Sequence, residues 1–279
     1  MTAALINQAV GPYKLRVSLG RGSTSEVFRA EHHSDGRPMA VKILRADRVA
    51  DPVKVKQFKD EFSLLQRLAH PGVPRAIQLT EVQGRPAILL DFVSGTPLAN
   101  LTGGADDRSQ GDRLYQLATI LGYLHGQRVV YQNLHLDHAV QRGDGRVVLL
   151  GFSHSYQQSL GRSFTDYFVK RQRPVFASPT YVAPEVLRGG RQTVASDCYA
   201  LGVCAWLLLV GRAPFTSDNA EQRLREASRG APCLATEKPQ LPRALTSAVN
   251  RSLHPDPARR LSDAGELASA CRAGDLLHT

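Results

Sequence analysis

Apolar and polar residues alternate along Tyr13–Leu19 and again along Glu26–Ala30, with glycines between the two runs. A period of two puts alternate side chains on opposite faces of a pleated strand. The two runs therefore predict strands joined by a Gly-rich turn. Met39–Leu44 is almost continuously apolar and predicts a third strand. Phe58, Phe62, Leu65 and Leu68 then recur at helical spacing, with Glu61 beside the stripe. Ala76–Val82 and Ala87–Phe92 predict two further strands that pair with each other. Ser94-Gly95-Thr96-Pro97 breaks the pattern. Beyond it helical periodicity dominates, in Arg113–His125, Ser196–Val210, Glu221–Ser228 and two short helices before the carboxy end. Asn100–Gly111 reads as a polar link. A small lobe of five antiparallel strands and one helix (13–93), followed by a larger helical lobe (94–272), is an α+β two-lobed arrangement.

At 279 residues, with 42% hydrophobic and 22% charged, the chain is long enough to bury a sizeable core and is not of disordered composition. Cys198, Cys204, Cys233 and Cys271 show neither metal-ligand nor disulfide spacing, so a reduced, cytoplasmic setting is expected. Met1–Asn7 lacks the build of a signal peptide, and the longest apolar run, Val203–Val210, is too short to cross a bilayer. No membrane association is expected. The net charge of +10 raises the question of an acidic partner. Basic residues are spread along the chain without interleaved aromatics, so nucleic-acid binding is not expected. Their densest cluster is only Lys170-Arg171-Gln172-Arg173.

Chemistry concentrates in a few short segments. Gly20-Arg21-Gly22-Ser23-Thr24-Ser25-Glu26-Val27 has the glycines that let a backbone approach phosphates. Lys42 lies inside an apolar strand, where an ammonium is costly unless paired, and Glu61 is its natural partner. Further on stand Ser178-Pro179-Thr180-Tyr181-Val182-Ala183-Pro184-Glu185, Ser196-Asp197-Cys198-Tyr199-Ala200-Leu201-Gly202-Val203 and Asp256-Pro257-Ala258-Arg259-Arg260. In this order the segments resemble a serine/threonine protein kinase domain of bacterial type over residues 13–272. The resemblance implies a nucleotide cleft formed by Gly20, Gly22, Val27, Ala40, Lys42, Glu61, Leu90, Asp91 and Val93. It also implies a structural Glu185–Arg260 pair and a capping role for Asp197. Asn100–Gly111 stands where such domains usually carry one more helix, so that region reads as trimmed.

The catalytic positions depart from the family. Tyr131-Gln132-Asn133-Leu134-His135-Leu136-Asp137-His138 occupies the place of the catalytic loop, and Gly151-Phe152-Ser153 that of Asp-Phe-Gly. The family's base is Asn133, whose amide has no useful basicity. Its magnesium ligands are His138 and Gly151, an imidazole and no side chain. Its phosphate-steadying lysine is His135, and Gln132 replaces the arginine that reads a phosphorylated segment. A new zinc or manganese site from His135, Asp137, His138 and His154, or Asp137 as a displaced magnesium ligand, is weighed against simple drift, which is the expectation; no metal is expected.

A kinase frame without its catalytic groups leads to the expectation of a pseudokinase, a regulatory or scaffolding module. ATP or ADP would bind weakly and without magnesium, and a kinase, phosphatase or other signalling protein would be its partner. The alternatives are an active divergent serine/threonine kinase or other ATP-dependent transferase, and a scaffold with an empty cleft.

Overall fold

A computed structural model describes residues 5–103, 106–158, 179–217 and 219–273. The chain forms two compact units that divide between Ser94 and Gly95.

The N-terminal unit is built on an antiparallel sheet of β1 (Ala9–Val10), β2 (Tyr13–Arg21), β3 (Ser25–His32), β4 (Pro38–Leu44), β5 (Ala76–Val82) and β6 (Arg85–Asp91). Their spatial order is β1-β2-β3-β4-β6-β5. The alternating pattern gives the sheet two faces. Leu15, Phe28, Ala30, Val41, Ile43 and Leu89 are buried on one, together with Leu5 and Val10. Ile88 and Leu44 pack on the other against Phe58 of α1 (Pro52–Arg67). Asp51 caps α1 by accepting from the Val53 and Lys54 N–H groups, and Pro52 takes a position where no N–H is needed. Leu5 and β1 extend this core ahead of residue 13, since a two-residue strand is too short for periodicity to reveal.

The C-terminal unit opens with β7 (Thr96–Pro97) and α2 (Asp107–Gly126), then β8 (Val129–Val130), β9 (Ala139–Gln141), β10 (Val147–Leu149) and β11 (Tyr156–Gln157). It continues through α3 (Pro184–Leu187), α4 (Val194–Val210), α5 (Ala220–Arg229), α6 (Leu234–Glu237), α7 (Arg243–Ser252) and α8 (Gly265–Ala273). Helix α4 is apolar all round and buried nearly throughout, as a central helix must be. Thr193 and Ser196 form its capping box.

The polar link is shorter than the sequence suggests. Asp107–Gly111 belongs to α2 because Asp106 accepts from the Ser109 N–H and caps a polar first turn that faces water. Among the described residues three helices rather than two follow α5, the extra one being the single turn of α6. No helix among the described residues is long and apolar enough to cross a membrane.

Candidate functional site

In the N-terminal unit the Gly-rich turn is closed by the Gly22 N–H donating to the Ser25 carbonyl at 2.8 Å. Gly20 stands opposite Val27, Val27 opposite Lys42, and Ala40 opposite Leu90. Directly paired residues project to the same side of a sheet, so one face carries Gly20, Val27, Ala40, Lys42 and Leu90. Ser25 replaces a glycine without backbone strain, because it is paired with Leu44 in regular strand geometry and has no positive φ.

Lys42 Nζ lies 2.5 Å from Oε1 and 2.6 Å from Oε2 of Glu61, and both side chains are buried. Each charge there compensates the other's lost hydration. At the end of β6, Asp91 pairs with the exposed Arg75 at 2.9 Å, and Val93 is half-buried just beyond. A second buried pair is not apparent from the sequence. Glu26, inside the Gly-rich motif, is buried and meets Arg85 Nη2 at 2.7 Å.

In the C-terminal unit Asp197, near the start of α4, accepts from the backbone N–H groups of Tyr131 (2.6 Å) and Gln132 (2.8 Å). The carboxylate thus fixes the first residues of the loop. Its Oδ2 also faces His125 Nε2 at 3.4 Å, while Ala264 N–H donates to His125 Nδ1 at 3.2 Å. Since Nδ1 accepts, Nε2 carries the proton toward Asp197. Nothing in the sequence pattern singles out His125, which sits on the helical stripe of α2.

His138 organises the rest of the loop. Its Nδ1 is 3.2 Å from the Asn133 carbonyl, 3.3 Å from Asn133 Nδ2 and 3.4 Å from the Tyr131 hydroxyl, which itself donates to the Leu150 carbonyl. The His135 ring lies against the His138 ring, with centroids 3.7 Å apart. Burial lowers the His135 pKa, partly opposed by Asp137 at 3.3 Å. Gly151 adopts the left-handed conformation (φ 81°, ψ 43°), and a Cβ there would come within 2.5 Å of His138 Nδ1. The imidazole therefore occupies the space that a side chain at residue 151 would need. Phe152 is buried edge-on against Tyr131. Among the described residues no group of three or more His, Cys, Asp or Glu side chains converges to hold a metal ion, so His135, Asp137, His138 and His154 do not assemble such a site.

Arg260 uses all five of its N–H groups. Nη1 and Nη2 grip Glu185 at 2.8 and 2.7 Å and also donate to the Ala195 and Pro255 carbonyls, and Nε donates to that of His254. Ser196 Oγ donates to Glu185 as well, and the guanidinium lies over the Tyr199 ring. Ser178 and the Lys170–Arg173 cluster lie outside the described residues.

The family model described as the protein kinase domain matches residues 13–272. The chain belongs to the protein kinase family. Among its similar relatives is a probable serine/threonine-protein kinase, PknB, of Lactococcus lactis, 24% identical over 260 residues, covering 91% of this chain and 40% of the relative. The serine/threonine-protein kinase pkn2 of Myxococcus xanthus is 29% identical over 273 residues, covering 94% and 32%. The CBL-interacting serine/threonine-protein kinase 1 of Arabidopsis thaliana is 28% identical over 268 residues, covering 93% and 58%. The chain thus spans less than two thirds of each of these kinases. Its strand-rich and helical units are those of a two-lobed α+β kinase-like fold.

Proposed function

We propose that this kinase-family chain is a pseudokinase, a cytoplasmic regulatory or scaffolding module that binds ATP or ADP and transfers no phosphate. The observation that carries this reading is the joint state of Asn133, His138 and Gly151. An amide replaces the base, and an imidazole ring fills the space beside a glycine in place of two hard oxygen ligands. Proton acceptance and charge neutralisation by metal are what this fold adds to positioning. The four free cysteines support the reduced compartment. The output is a shape, set by nucleotide or partner and read by a protein such as a kinase, a phosphatase or another signalling protein.

Incubation of the purified chain with labelled ATP in magnesium or manganese tests the reading. No incorporation into itself or generic substrates is expected. Incorporation that a Lys42→Met variant abolishes would replace the pseudokinase with an active, divergent serine/threonine kinase.

Nucleotide binding rests on the surviving groups of the N-terminal unit. Val27, Ala40 and Leu90 offer apolar surface to a flat base, and the turn's N–H groups and Lys42 offer donors to phosphates. With no carboxylate at residues 138 and 151, neither a ligand for metal nor repulsion of a metal-free phosphate chain is supplied there. Titration calorimetry is expected to give the same affinity with magnesium and with EDTA, and an affinity about tenfold or more weaker in Lys42→Ala. Binding only with the metal would contradict this account, and no binding would favour the empty scaffold.

A further inference from the structure

A cavity of about 510 Å³ lies within the C-terminal unit between α2 and α8. At one end the two helices nearly touch: a Cβ on Gly122 would lie 3.0 Å from the Gly265 nitrogen. Ala268 and Thr119 continue this surface. The ends carry opposite charges. At one, Asp263 Oδ1 accepts the Gly265 N–H at 2.6 Å, and no cation among the described residues pairs with this carboxylate. At the other, the Arg272 guanidinium lies over the Tyr115 ring and donates to its hydroxyl, with no carboxylate opposite among the described residues. Gly122 meets Gly265 and Tyr115 meets Arg272, so the helices run antiparallel along the cavity. Arg272 lies seven helical residues, about 10 Å, beyond Gly265, and Asp263 precedes Gly265 by two residues.

We propose that this cavity binds an elongated zwitterion, an alkyl chain with an ammonium at the Asp263 end and a carboxylate at the Arg272 end. A ligand of single charge satisfies one end and leaves the charge at the other unpaired. A zwitterion of matching length pairs both, and its alkyl chain covers the small apolar middle. The Asp263 end also adjoins the support of the loop. Ala264 N–H holds His125, His125 faces Asp197, and Asp197 holds the Tyr131 and Gln132 N–H groups. Ligand on Asp263 steadies the turn that carries Ala264, and through these bonds the loop.

Calorimetric titration with ω-aminocarboxylates of increasing length tests the site. Aminooctanoate is expected to bind, with aminobutyrate, octanoate and octylamine each about tenfold weaker or worse. Asp263→Asn and Arg272→Met should each cost about tenfold in affinity. Arg272 is exposed, so its variant remains informative even where Asp263→Asn fails to fold. Amide exchange at Tyr131 and Gln132 should slow when aminooctanoate is bound. Absence of binding at every length, or an affinity unchanged in Arg272→Met, overturns the site. Binding with unchanged exchange overturns the link to the loop. Neither readout involves nucleotide or phosphate transfer, so failure here leaves the pseudokinase reading standing.

Discussion

Glu185→Ala is expected to destabilise the C-terminal unit by roughly 3–5 kcal/mol, the cost of stranding one partner of a buried charge pair. Arg260 is the stranded partner, its side chain fully buried and its five N–H groups committed to Glu185 and three carbonyls. Without the carboxylate, two of those donors face no acceptor and the charge is uncompensated. The melting transition that reports this unit should fall by roughly 6–20 °C. Glu237→Ala is the comparison. Glu237 pairs with Arg212 at 2.8 Å on the surface, and such pairs are worth about 0–1 kcal/mol. Equal melting points in the two variants would falsify the assignment. Arg260→Lys should recover part of the loss, since a lysine keeps the charge but not the bidentate fork. The effect also has a pH signature. Burial alone raises the Glu185 pKa, and the hydrogen bond and charge of Arg260 more than offset this, so it lies below its ordinary 4.5. A depressed carboxylate contributes its stability above the unfolded value and loses it as pH falls through the folded one. The gap between wild type and Glu185→Ala should therefore narrow only as pH drops below 4.5.

Much of this architecture is legible in the sequence because it rests on local signals. Alternation locates β2 and β3 and a nearly continuous apolar run locates β4, and a lysine inside that Met39–Leu44 run demands a partner, which Glu61 beside the helical stripe supplies. The Glu185–Arg260 pair is legible differently, through the resemblance of the Asp256-Pro257-Ala258-Arg259-Arg260 segment to that of the family, and the structure forms it at 2.7 Å. What escapes is whatever depends on tertiary register. Glu26 is buried because Arg85, far along the chain, reaches it at 2.7 Å. His125 looks like one more residue of a helix and is instead the link between Ala264 and Asp197. His135, Asp137 and His138 are close enough in sequence to suggest a metal site, yet the loop packs two of their rings against each other, centroids 3.7 Å apart and planes tilted by 39°. Composition supplies the ligands; backbone geometry decides where they point.

The loop itself yields the second large effect. Gly151→Ala is expected to destabilise the C-terminal unit by roughly 2–5 kcal/mol, from two costs that can be separated. A non-glycine residue at φ 81° gives up about 1–2 kcal/mol. The added Cβ would lie 2.5 Å from Nδ1 and 2.6 Å from Cε1 of His138, and forcing an occupied core apart costs about 1–3 kcal/mol. His138 cannot easily yield, because its ring lies against His135 and Nδ1 is within hydrogen-bond reach of Asn133 and Tyr131. Truncating it to alanine removes the obstacle. In a double-mutant cycle His138→Ala should therefore recover the steric share of the Gly151→Ala penalty and leave the backbone share, a coupling of about 1–3 kcal/mol. Strict additivity of the two substitutions would show that ring and glycine do not compete for one space. The same competition governs any attempt to restore a metal ligand: Gly151→Asp on its own should misplace its carboxylate.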